Sequence, residues 1–125
     1  MVIDYMDKTL DLARRLLKAA QYIVDLKDID LVAPICSDIS IAIELCLQSL
    51  LLTDGVQDIE SCSTVMLVGT LAARGYSIDK WLMQYAEELD SWKTGVLLSV
   101  DPVMCIDGPR KGQELLEYCK SLDAK

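Results

Sequence analysis

The chain has 125 residues, 52% of them apolar, and a net charge of −8. That length suits one domain with a sizeable core, and the acidic balance repels phosphate backbones, which argues against generic nucleic-acid binding. The five cysteines form no CxxC pair and histidine is absent, so zinc-ligand spacing is missing and no metal or other cofactor is expected.

The opening residues (MVIDYMDKTLDLARR) carry acids where a signal peptide needs bases, so a cytoplasmic chain is expected, its cysteines acting as small buried hydrophobes. A first helix is expected from about Asp4 to Leu26. Met6, Leu10, Ala13, Leu17, Ala20 and Val24 recur at steps of three and four and form one helical stripe. Leu12, Leu16, Ala19 and Ile23 form a second stripe, turned by about 100°. Two stripes predict two packing surfaces. On the wet side, Asp11 has the spacing to pair with Arg14 and Arg15. The basic groups Arg14, Arg15, Lys18 and Arg110, Lys111 read as solvated faces.

A second helix is expected from about Ala33 to Leu52, with Pro34 in its first turn. The stretch from Leu31 to Leu52 has no Lys or Arg and holds only Asp38 and Glu44 as acids. Those acids, Pro34, Gln48 and three serines argue against a membrane span, so this helix is expected at the centre of the bundle. Ile35, Ile39, Ala42, Ile43, Cys46, Leu47 and Leu50 should face inward, and Gly55 suits a left-handed cap.

A third helix is expected over Ile59 to Arg74. Ser61 or Ser63 caps it, Val65, Met66, Leu67, Leu71 and Ala72 form its apolar side, and Gly75 closes it. The fourth begins at Ser77 as its cap and carries Trp81, Leu82, Tyr85, Leu89 and Trp92 on one face. The segment from Ser99 to Pro109 reads as an apolar loop, marked by Asp101-Pro102 and Asp107-Gly108-Pro109. The last helix runs from about Arg110 to Leu122, with Leu115, Leu116, Cys119 and Leu122 inward. The expected fold is all-α: an antiparallel up-and-down bundle of about five helices with a four-helix core, filling residues 1–125 as a single domain.

The run SDISIAIELCLQSLLLTDG resembles the central helix of HEPN-domain proteins, with Ala42, Glu44, Leu47, Leu50 and Leu51 in the family's pattern ahead of Asp54-Gly55. TVMLVGTLAARGYSID, LDSWKTGV and GQELLEYCKSLDA are similar to the family's later segments, and the resemblance spans about Tyr5 to Leu122. It implies a helical bundle, a homodimer, and partnership with a nucleotidyltransferase or binding of a nucleotide. Catalytic members are ribonucleases with an Arg-x(4–6)-His motif. This chain has no histidine, and Lys93 and Thr94 stand near where the motif would fall, so the resemblance points to the non-catalytic branch. A lysine of ordinary pKa is a poor base at neutral pH.

Candidate site residues are few. Ser37, Ser40, Glu44 and Gln48 share a narrow stripe of the second helix, and a Glu in such surroundings must find a partner. The stripe reads as a ligand groove or as an internal network. Trp92, with Trp81 and Tyr85, could stack on a base, although this spacing more often marks core. Lys93 completes the candidate set. Two functions follow: a non-enzymatic interaction module, or a degenerate ribonuclease working through Lys93, Arg74 or Glu44. An unrelated helical adaptor is a third.

Overall fold

The computed structural model describes residues 2–26, 32–56, 62–93 and 102–123, with the side chains of 2–7, 32–33, 93, 102–105 and 122–123 left out of that description. These residues form five helices: α1 (Val2–Leu26), α2 (Val32–Thr53), α3 (Thr64–Ala73), α4 (Lys80–Lys93) and α5 (Pro102–Asp123). The architecture is an all-α bundle. Helix α2 lies at its centre and packs against each of the other four, while α1 also touches α5 and α3 touches α4. Its Pro34–Thr53 stretch is long and apolar enough to cross a membrane by length and composition, and two thirds of it is buried inside the bundle.

All seven residues expected inward on α2 are buried. On α1, Leu10, Ala13, Leu17 and Ala20 join them in one contiguous core, with Leu115, Leu116 and Cys119 from α5. Cys36, Cys46 and Cys119 are buried thiols and Cys62 is half-buried, while Cys105 lies among the side chains not described. The hydrogen bond with Cys119 and then burial push the Cys46 thiol well above its ordinary value. Such a thiol is a packing group and a poor nucleophile.

Helices α2 and α3 end in the same way. Gly55 and Gly75 take positive φ values of 82° and 90°. The Val56 N–H donates to the Leu51 carbonyl and the Gly55 N–H to that of Leu52; Tyr76 and Gly75 repeat the pattern on Leu71 and Ala72. This double bond is the Schellman closure, which needs a residue tolerant of the left-handed region at its hinge. Val56 and Tyr76, the residues just beyond, fold back onto the core. Arg74 then ties the two ends together through the Asp54 carboxylate and carbonyl.

Three expectations about elements need correction. The segment from Ser99 to Pro109 is not a loop where it is described: α5 begins at Pro102 and runs straight through Gly108 and Pro109. Pro102 suits a first helical position. Gly108 and Gly112 mark close approach, for a Cβ on Gly108 would lie 2.6 Å from Ile39 Cδ1, and one on Gly112 would collide with Leu17. Turn-like residues here let α5 lie directly on α1 and α2. Helix α3 is described from Thr64, with Ser63 as its cap accepting from the Met66 N–H; residues 59–61 fall outside the description. Its buried side is Thr64, Leu67, Val68 and Leu71, while Val65, Met66 and Ala72 are exposed. Helix α4 starts at Lys80, capped by Asp79, whose Oδ1 accepts from the Trp81 N–H at 2.7 Å. Ser77 lies too far upstream to reach those N–H groups as a cap.

Candidate functional site

The polar stripe of α2 is real but unevenly covered. Ser40 and Glu44 are buried, Glu44 at 9% exposure, while Ser37 and Gln48 at the two ends are half-buried. The buried Ser40 hydroxyl makes no hydrogen bond among the described residues. Such a line suits an internal polar network with two open ends. Trp92 is 4% exposed and belongs to the core, so its ring offers no face to a base. Trp81 packs against Tyr85 with ring centroids 5.3 Å apart and planes tilted by 58°. Lys93 is the last residue of α4, and its side chain lies outside the described set.

Two of the residues offered for the ribonuclease alternative, Arg74 and Lys93, stand at opposite ends of α3. Arg74 follows the last turn of α3, held by Asp54. The α4 terminus that carries Lys93 lies by the other end of α3, because Asp90 accepts there from the Thr64 and Val65 N–H groups at 2.6 and 3.2 Å. A ten-residue helix separates these ends by about 15 Å. Asp90 is a cap supplied from a neighbouring helix, and capping by a carboxylate also meets the positive end of the α3 dipole. Nothing in the local sequence of α3 signals it.

A groove of about 250 Å³ opens between the start of α4 and α5, lined by Ser77, Asp79, Leu82, Lys111, Leu115 and Tyr118 among others. Lys111 Nζ stands between Asp79 Oδ2 at 3.3 Å and Glu114 Oε2 at 3.6 Å. Both carboxylates are already engaged, and Asp79 also caps α4. This is a tie between elements that leaves little charge for a ligand. Among the described residues no cluster of three or more Cys, Asp or Glu could hold a metal ion.

The feature that stands apart is a flank of the α1–α2 pair. The Gly112 contact and the α1–α5 groove through Leu17, Lys18 and Gln21 set α5 over one side of α1. Ala13 and Ala20, fully buried, face α2 by helical geometry. The second stripe comes next around the cylinder, on the flank away from α5. There Leu12 and Leu26 are 48% and 53% exposed, Tyr22 is exposed, and Leu16 and Ile23 are only half-covered. The expectation of two packing surfaces on α1 is therefore met once inside the bundle. The matching open side of α2 carries Ile41, Leu45 and Leu52. Asp38 sits beside them, half-buried, and burial alone raises its carboxyl above the ordinary value. Neighbouring apolar side chains shed solvent from Asp38, and no cation among the described residues offsets the loss.

No family model, no curated protein and no solved structure matches this chain.

Proposed function

We propose that this chain is a non-catalytic helical interaction module of HEPN-like character, docking through the outward flank of α1 and α2. The observation that carries this reading is the second stripe of α1: Leu12, Leu16, Ile23 and Leu26 repeat as regularly as the buried stripe, yet the bundle leaves them half-covered or exposed. Contiguous apolar surface of this kind on a polar-rimmed chain marks contact with another protein. The partners that fit are a second copy of the chain, giving a homodimer, and a nucleotidyltransferase-type protein, the partner that the family resemblance implies. A cytoplasmic setting is part of the same proposal. The absence of histidine and the separation of Arg74 from the end of α4 weigh against a ribonuclease.

The test is the solution mass of the full chain by light scattering after size exclusion, with Leu12→Asp as the comparison, alongside incubation with single-stranded RNA. The expected outcome is a mass above the monomer that falls to the monomer in Leu12→Asp, with RNA left intact. A monomeric chain that cleaves RNA would overturn the proposal.

A further inference from the structure

Two thiols from distant parts of the chain meet inside the bundle. Cys46 lies on α2 and Cys119 on α5, 73 residues apart, and both are buried, at 0% and 2% exposure. The Cys119 thiol donates to the Cys46 carbonyl, with 3.5 Å between Sγ and oxygen, and the two thiols hydrogen-bond each other. The seam between the helices brings them together. Gly108 rests on Ile39; Cys46 follows Ile39 by seven residues, two turns, and Cys119 follows Gly108 by eleven, three turns. Each cysteine therefore shares the face on which its helix makes that close contact. The other cysteines of these two helices are remote: Cys36 is about 15 Å from Cys46 along α2, and Cys105 about 21 Å from Cys119 along α5.

Either thiol alone is a small hydrophobe. In contact, the pair has a second state, a disulfide, which draws the sulfurs to about 2.05 Å and needs side chains that already converge. Burial decides when that bond can form. Inside the closed bundle neither thiol meets an oxidant, and Cys46 is a poor nucleophile. Cys119 stands four residues before Asp123, where α5 ends, and helix ends open at small free-energy cost. Fraying of that turn bares Cys119 while Cys46 stays on the central helix. The Cys119 thiolate then attacks one sulfur of a low-molecular-weight disulfide and releases one thiol. As α5 closes again, the Cys46 sulfur, having given its proton to solvent, displaces the second thiol and bonds to Cys119. The two protein thiols lose two electrons and two protons, and the reagent disulfide becomes two thiols.

We infer that Cys46 and Cys119 form a redox-operated staple: oxidation ties the end of α5 to the centre of α2, and reduction frees it. The bond links positions 73 residues apart, so it removes many unfolded conformations and holds the last helix in place. This staple stands independently of the docking role of the α1–α2 flank.

The test uses the full chain with Cys62→Ser and Cys105→Ser, incubated with oxidised glutathione. Its intact mass should fall by two hydrogens with no glutathione retained, and a digest should hold the Cys46 and Cys119 peptides joined. The unaltered chain should give the same joined peptides. The thermal midpoint should rise by about 5 °C or more and return on adding dithiothreitol. Because closure needs α5 to open, its rate should rise several-fold in urea below the unfolding transition. Cys119→Ser should remove both the link and the rise. Thiols that stay free after oxidation, or a Cys46 joined to Cys36 instead, would overturn the staple. A joined pair that leaves the midpoint unchanged would overturn it too, since the bond would then hold nothing that packing does not.

Discussion

The two stripes of α1 are nearly the same in composition and repeat, and their fates differ. Leu10, Ala13, Leu17 and Ala20 meet α2 and α5 and vanish from the surface; Leu12, Ala19 and Leu26 stay exposed, and Leu16 and Ile23 touch the core with only part of their surface. Periodicity reports that a face is apolar. It does not report what covers that face, because covering depends on where the other helices come to rest.

The comparison is sharpest in stability. Leu17→Ala removes a buried side chain that α5 presses on through Gly112, and it should destabilise the fold by about 2–5 kcal/mol in urea unfolding. Leu12→Ala, one stripe away, should change the unfolding of the monomer by no more than about 0.5 kcal/mol. Equal losses at the two positions would show that the outward stripe is covered within one chain.

Acids repeat the contrast. Asp90 is employed inside the bundle, accepting from two N–H groups at the start of α3, whereas Asp38 is half-buried and has no partner among the described residues. Asp90→Ala should cost about 1 kcal/mol, as other lost caps do, with the loss concentrated in α3 amide protection from hydrogen exchange. An unchanged exchange pattern would remove the capping role.

Asp38→Asn should have the smallest effect, visible in pH dependence. The folded chain holds the Asp38 proton more tightly than the unfolded chain, because burial raises this carboxyl above its ordinary 3.8. Ionisation then opposes folding: stability falls as pH climbs from about that value through the raised one, and Asp38→Asn should flatten that decline. Asp11 acts with the opposite sign. Its hydrogen bond from Arg14 lowers its carboxyl, so its contribution is present above the ordinary value and is lost as pH falls through the lowered one. A titration of the Asn variant that keeps the full decline above pH 4 would assign the effect to another group.

The local sequence legibly marked the parts that local physics governs. The inward residues of α2, the glycine closures at Gly55 and Gly75, the Ser63 cap and the pairing of Asp11 with Arg14 and Arg15 all depend on neighbours within about five positions. Of the candidate site, the polar stripe on α2 was legible as a stripe. Its coverage was not, because Ser40 and Glu44 are hidden by helices distant in the chain. Trp92 and Lys93 look alike as candidates in sequence, and only packing puts the Trp92 ring inside.

Helix periodicity and apolar content are local quantities, so an all-helical chain around one mostly apolar helix could be read along the chain alone. Packing between helices made Gly108 and Gly112 contact points inside a helix rather than a turn, made Asp79 and Asp90 helix caps, and left the second stripe of α1 partly exposed. Each of these depends on distances between residues far apart in the chain. A turn signal and a close-packing signal share the same residue, glycine, and only the helix lying against it tells them apart.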